Sequence, residues 1–461
     1  MEYCKDEDQV EPVSPTGQYL NSSVLSIYIL AVLETEVPVD DSQTISLLRD
    51  VFLPINSRFS SIMVSDRSGE KKWKQVRVKL EEHVKVPTFP TSMSSYDEYF
   101  DDYMSRIGME QLPQNKPLWE IHLIKYPTSN AAGTIIFKLH HALGDGYSLM
   151  GALLSCLQRA DDPSLPLTFP SSRRIAAEFD YKTIFSSVFN TISDFGWSVL
   201  KSSLVEDDQT PIRSGDAEVR FRPVTISTVS FSLEHIKEIK TKLGLSMNDV
   251  ITALIFYGIR LYMQEININS SKSDSTALVL LNTRNIRGYE SVKEMMKTDA
   301  KAAWGNRFAF LHVSIPKLND TNISNPLEFV WEVHNIIKRK KDSLAISFTG
   351  RLLNMLKNFR GPEAAARYIH STLKNSSATI SNIIGPVEKM AVANLPVKGL
   401  YFMVVGPPES LTITIMSYMG NLRVAFGMEK GFINPQKFKS CMEFALEVIS
   451  KAARDTPTKL D

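Results

Sequence analysis

His140-His141-Ala142-Leu143-Gly144-Asp145-Gly146 places two imidazoles and a carboxylate on one glycine-containing loop. Just before it, Gly133 to Leu139 holds Ile135, Ile136 and Phe137 in a short apolar run, the pattern of a buried strand. Just after it, Leu149, Met150, Leu153, Leu154 and Leu157 recur at helical spacing within Tyr147 to Arg159. The loop is therefore expected at a strand-to-helix corner. An imidazole there, with an unperturbed pKa just below neutrality, is neutral at cellular pH and accepts a proton from a hydroxyl or thiol. His141 is the candidate general base and acid. His140, Asp145 and Gly146 are expected to shape the loop, Gly146 by letting the chain turn sharply into the helix.

A lone histidine at a strand end is usually structural, but here the residues come as a set. Two adjacent histidines, a three-residue spacer and a terminal Asp-Gly match the His-His-x-x-x-Asp-Gly signature of the CoA-dependent acyltransferase superfamily. Further blocks follow in order: Pro117-Leu118-Trp119, Asn248-Asp249 opening an apolar helical run, Gly305-Asn306 before a strand, and Ser381-Asn382-Ile383-Ile384-Gly385-Pro386. Together, from Pro12-Val13-Ser14-Pro15 to the C-terminal region, they resemble the plant wax ester synthase/diacylglycerol acyltransferase family over nearly the full length. The resemblance implies two chloramphenicol-acetyltransferase-like subdomains with the active-site tunnel between them. It also implies acyl-CoA as co-substrate with no bound cofactor, a fatty alcohol or diacylglycerol as acceptor, and a place at the endoplasmic reticulum or plasma membrane, facing the cytosol.

Composition fits a large globular enzyme. With 461 residues, 43% hydrophobic and 22% charged, the chain can bury a sizeable core and suggests more than one domain. A net charge of +1 gives no global field favouring nucleic acid. Cys4, Cys156 and Cys441 form no metal-ligand spacing and no disulfide framework, so no metal is expected and a reducing compartment fits. Cys156 lies on the apolar side of the helix after the motif and reads as core. The first apolar run, Val24 to Leu33, is too short to span a membrane and reads as a core strand. Thr183 to Val205 carries apolar residues among serines and Asp194, which suits a helix lying on a membrane surface or covering the core.

Residues 206–220 are polar and rich in turn formers, so they read as the linker between an N-terminal subdomain, 1–205, and a C-terminal one, 221–461. Both halves mix strands and helices, which argues for an α/β fold of sheets covered by helices. Expected strands include Lys74 to Leu80, Glu120 to Ile124, Thr225 to Phe231, Phe308 to Ile315 and Leu411 to Tyr418. Expected helices include Tyr96 to Ile107, Leu233 to Leu243 and Val250 to Tyr262.

Several residues have both a structural and a functional reading. Ser246 and Asp249 fit a helix cap, and the resemblance adds Asn248 as a hydrogen-bond donor beside the active site. Trp119 suits core or tunnel wall. Gly305-Asn306 reads foremost as a turn. Ser381 or Asn382, on an extended run, is placed to donate to the thioester or oxyanion. The resemblance also implies an arginine that orders the loop through Asp145; Arg284 is the candidate, with Arg287 and Arg307 competing for the role. The basic run Lys338 to Lys341 suits a solvated helix face, or CoA phosphates or anionic lipid.

Three rival readings remain. Peptide-synthetase condensation domains share the histidine motif. Acyltransferases of plant secondary metabolism add an Asp-Phe-Gly-Trp-Gly block, which Asp194-Phe195-Gly196-Trp197 imitates only in the wrong half and before Ser198. The third rival is a lipid-binding protein of the same fold without turnover, against which the intact His141 argues.

Overall fold

The computed structural model describes residues 11–65, 71–165, 167, 205–216, 223–282, 304–306, 308–341, 355–356 and 359–456. Two large sheets organise it. The first has seven strands in the order Val84–Lys85, Trp119–Ile124, Gly133–His140, Tyr28–Thr35, Leu395–Val405, Met390–Val392 and Leu157–Arg159. Gly133–His140 and Tyr28–Thr35 are buried along their whole lengths and pair antiparallel, Tyr28 opposite His140. Their near-continuous Ile, Leu, Val and Phe content reflects burial on both faces. The second sheet has six strands: Phe308–Ser314, Thr276–Asn282, Ala378–Ile384, Leu411–Tyr418, Asn421–Glu429 and Val224–Ser232. A small third sheet joins Glu11–Pro12, Lys71–Gln75 and Ser61–Ser65.

Helices bury the faces of these sheets. Met247–Ile266 starts with a reciprocal capping box between Ser246 and Asp249, is buried along most of its length, and packs against Pro326–Lys341 and Pro435–Asp455. Asp97–Met109 turns Tyr103, Met104 and Ile107 into the first core and also packs on the strand Val224–Ser232 of the second sheet. A third, smaller apolar cluster joins Tyr19, Leu20 and Ile27 to Leu278, Ile369 and Leu373, so the two lobes share core at their seam.

Most expected elements form, and the departures have physical causes. The strand expected over Lys74 to Leu80 runs instead at Lys71–Gln75, where the small sheet supplies partners, and Leu80–Glu82 is a short 3₁₀ turn. The motif helix is Gly146–Ser155, because Leu157–Arg159 leaves it to pair with Met390–Val392. The two halves of the sequence are not two separate bodies, since Met390–Val392 and Leu395–Val405 belong to the first sheet. Nor does the polar stretch expected as linker hang in solvent. Asp207 is buried and accepts from the Thr276 backbone N–H (2.6 Å), the Thr276 hydroxyl (2.9 Å) and the Ser377 hydroxyl (2.7 Å). Asp207 is thus buried with its hydrogen bonds made, while Glu206, Asp208 and Gln209 beside it are exposed. Residues 183–204, including the Asp194 block, lie outside the described residues. Among the described residues, no helix is long and apolar enough to cross a membrane.

Candidate active site

The strand Gly133–His140 ends against the second lobe, and the motif loop follows at once. His140 and His141 point their chemistry in opposite directions. His140 is fully buried; its Nδ1 accepts from the Ala142 backbone N–H (3.0 Å), so Nε2 carries the proton and donates to the Ser26 hydroxyl (3.2 Å). Tyr28 meets the ring edge-on, and burial pushes the His140 pKa down to about 3. His140 is a neutral structural strut.

His141 faces a cavity. Its Nδ1 bonds Asn306 Oδ1 at 2.8 Å, and Asn306 Nδ2 returns a bond to the His141 carbonyl at 2.9 Å. Because the amide nitrogen is committed to that carbonyl, its oxygen must face the ring, and Nδ1 is the donor. Neutral His141 is thereby held with its Nε2 lone pair unprotonated and without a protein partner among the described residues. Burial lowers its pKa below the ordinary imidazole value, with Asp145 pulling the other way. The ring is free to act as a base at neutral pH.

Asn306, whose sequence context suits a turn, orients the base. The segment around it clasps the whole loop. Trp304 Nε1 donates to the Leu143 carbonyl (3.0 Å), as does Arg58 Nη1 (3.2 Å); Gly305 N–H donates to the Ser148 hydroxyl (3.1 Å), which donates back to the Gly305 carbonyl (3.1 Å). Arg58 is itself held by Glu11 at 2.8 Å. Nothing in the local pattern of Trp304-Gly305-Asn306 marks this role, since the contacts span more than 150 residues.

Asp145 caps the motif helix, its Oδ1 accepting from the Ser148 N–H at 3.0 Å. Its expected partner Arg284, and the competing Arg287 and Arg307, lie outside the described residues. The expectation for Gly146 needs correction. It occupies the first helical position without a positive φ, so no special turn requires glycine there. What glycine allows there is a close approach: a Cβ at Gly146 would lie 2.9 Å from Ile383 Cδ1, the movable end of a side chain across the seam. Of the two readings of Trp119, core and substrate-binding tunnel wall, the structure bears out the first. Trp119 is fully buried, donates Nε1 to the Phe59 carbonyl (2.8 Å) and stacks on His83, so it belongs to the first core and not to the cavity wall.

The cavity is open to solvent on one side. Its walls come from both lobes: Ile27, Ile29, Phe402 and Val404 on one side, Leu280, Phe308, Phe310 and Ile369 on the other, with His141, Asp145, Gly146 and Tyr147 at the junction. Ser381 and Asn382 line it as well, whereas Asn248 sits behind Asn382, accepting from its Nδ2 at 3.0 Å. Asn248 thus positions Asn382 and does not itself face the cavity. Asp249 completes its cap and meets His334 Nδ1 at 3.0 Å. Of the basic run, Lys338 and Arg339 are exposed but Lys340 is buried, so the run is not a uniformly solvated face. Cys156 is core, its thiol pushed up to about 12 by burial.

Two family descriptions match the chain, the wax ester synthase/diacylglycerol acyltransferase catalytic domain over residues 56–195 and the WS/DGAT C-terminal domain over 304–450, together more than half of it. The chain belongs to the wax ester synthase/diacylglycerol acyltransferase family. Arabidopsis thaliana wax ester synthase/diacylglycerol acyltransferase 11 is 28% identical, with 95% of this chain and 94% of the relative covered. Arabidopsis thaliana wax ester synthase/diacylglycerol acyltransferase 4 is 26% identical, over 97% and 91%. Among solved structures, the wax ester synthase/diacylglycerol acyltransferase from Marinobacter aquaeolei VT8 superposes with a TM-score of 0.61 at 15% identity, covering 96% of this chain and 100% of that one. The first condensation domain of the calcium-dependent antibiotic synthetase, in complex with a substrate analogue, gives 0.55 at 13% identity over 93% and 92%. These likenesses establish the two-lobed condensation-type fold of this family member, with the motif loop and the Trp304–Asn306 clasp inside the two matched regions.

Proposed function

We propose that this chain transfers a long-chain acyl group from acyl-CoA to the hydroxyl of a fatty alcohol, a diacylglycerol, or both. One observation carries the reading: an imidazole with Nδ1 fixed by Asn306 and Nε2 left open to an apolar cavity walled by both lobes. His141 Nε2 takes the acceptor hydroxyl proton as that oxygen attacks the thioester carbon. The tetrahedral intermediate then collapses, the C–S bond breaks, and His141 returns the proton to the departing CoA sulfur. No acyl-enzyme forms and no cofactor takes part; acyl-CoA is the co-substrate. The Ser381 hydroxyl and the first turn of the motif helix, at Gly146 and Tyr147, line the same cavity and favour negative charge on the oxyanion, where one good donor is worth about 3 kcal/mol. Apolar walls keep water from hydrolysing the thioester.

Acyl chains and acceptors of this kind partition into bilayers, so we infer that the enzyme works at a membrane surface, at the endoplasmic reticulum or plasma membrane; fractionation of cells expressing a tagged chain tests this location. Purified protein incubated with palmitoyl-CoA and either hexadecanol or diolein tests the activity itself. Ester formation with stoichiometric CoA release is expected, and abolished by His141→Ala in a protein with an unchanged circular dichroism spectrum. No ester above background with any acceptor favours the lipid-binding reading instead.

A further inference from the structure

The cavity is not apolar throughout. On the strand Ala378–Ile384, alternate residues share a face, so Thr379, Ser381 and Ile383 all look into it. Ile383 touches the motif helix at Gly146, and Thr379 lies four residues away, roughly 13 Å along the strand. At that far end Thr412 pairs with Thr379 across the sheet and also lines the cavity. The Thr379 hydroxyl bonds Glu409, which is 8% exposed. Glu409 Oε2 is buried with no hydrogen-bond partner among the described residues, and no bond is made there by the Thr412 hydroxyl either. Burial raises the Glu409 pKa to about 7.

A buried carboxyl oxygen without a partner is costly beside an otherwise largely apolar cavity wall. Thr379 and Thr412 line the cavity, and Glu409, reached through the Thr379 hydroxyl, leaves one buried carboxyl oxygen without a partner among the described residues, whereas leucine or valine at these positions would serve an alkyl chain better. We propose that the Thr379, Thr412 and Glu409 cluster is a polar subsite that receives an oxygen-bearing group, a hydroxyl or carbonyl, carried on the aliphatic chain of a substrate. The proposal rests on the acyltransferase reading only for which substrate brings that chain. A site that hydrogen-bonds a buried oxygen discriminates strongly against the analogue lacking it, while an apolar pocket prefers the plain chain.

The test has two arms and a binding readout. In the acceptor arm, kcat/KM is compared for plain primary alcohols and for diols with a hydroxyl at each end, from octyl to hexadecyl, with palmitoyl-CoA as donor. In the donor arm, plain and terminally hydroxylated acyl-CoAs are compared with one fixed alcohol. The oxygenated substrate is expected to be used at least as well as the plain one at one or more lengths in one arm. Thr379→Val should then lower the ratio of oxygenated to plain tenfold or more in that arm, Thr379→Ser should restore it, and Glu409→Gln should retain it. The double variant Thr379→Val, Glu409→Leu removes the buried carboxyl along with its partner, so loss of the preference in a protein with an intact melting temperature separates the subsite from folding. A ratio that these variants leave unmoved in both arms overturns the proposal. Calorimetric binding of decanol and decanediol makes the same comparison without turnover, so an inactive protein that still prefers the diol sinks the acyltransferase reading and leaves the subsite standing.

Discussion

His141 serves as a base only while the proton of its neutral ring stays on Nδ1, and Asn306 is the group that holds it there. Asn306→Ala should therefore lower kcat by roughly tenfold to a hundredfold, part of the 10²–10⁴ that a positioned base contributes, with little change in KM for acyl-CoA. The same substitution removes a bond that raises the His141 pKa, so the acid limb of activity should move to lower pH. In the parent enzyme the base must be unprotonated, and burial sets its pKa below about 6.5. Activity should rise with pH through a midpoint below that value and be flat at neutrality; a midpoint above neutrality in a kcat/KM profile contradicts the assignment. Stability has its own acid dependence. His140 and His122 are held near 3 in the fold, whereas an unfolded chain binds protons at both from about 6.5 downward. Stability is thus lost as pH falls from about 6.5 toward 3, with a slope of up to about 1.4 kcal/mol per pH unit for each. Urea midpoints at pH 7 and pH 5 measure it, and equal midpoints contradict it. At this scale His141 was legible because its chemistry is written in a contiguous motif. Asn306, Ser26 and Arg58 were not, because their meaning lies in contacts made across 165, 114 and 85 residues.

Between elements, the close approach of the motif helix to the strand Ala378–Ile384 depends on the missing side chain at Gly146. Alanine there meets only the tip of Ile383, which can rotate; valine cannot be housed without driving Ile383 into the cavity. Gly146→Val should lower turnover while costing about 1–3 kcal/mol from overpacking, and Ile383→Ala should restore activity in the double variant. Additive losses in that cycle would show that the two residues do not share the contact. Long periodic elements were read well from sequence. The helix Met247–Ile266 and the strands Gly133–His140 and Leu411–Tyr418 announce themselves by apolar spacing and caps. Ends were read less well, as with Leu157–Arg159, where a helical pattern gives way because a neighbouring strand offers backbone partners.

Across the whole molecule, the lobes are tied together by charge as well as by shared core. Arg423 on the second sheet reaches Glu34 on the first at 2.7 Å and bonds Thr228 at 3.0 Å, with its guanidinium 5.6 Å from the centroid of the Tyr401 ring. Gly399 makes room for this, since a Cβ there would fall 2.0 Å from Glu34 Oε2. Both side chains are largely buried, so Arg423→Ala should cost about 3–5 kcal/mol by stranding the Glu34 carboxylate. The paired change Glu34→Gln with Arg423→Met should cost much less, and denaturant melts of the three variants compare them. The α/β class and the two-lobed plan were legible from mixed elements and from family resemblance. The route of the chain between lobes was not, because periodicity reports which residues are buried and not which sheet buries them.

That route constrains how the protein is made. The strand Tyr28–Thr35 lies mid-sheet, yet its neighbour on one side, Leu395–Val405, is translated more than 350 residues later. While the ribosome is still threading out the second lobe, the first keeps a row of unsatisfied peptide groups open to any passing strand. A fragment ending before residue 390 should inherit that open edge permanently and precipitate when expressed alone. Co-expression with the complementary piece should rescue its solubility.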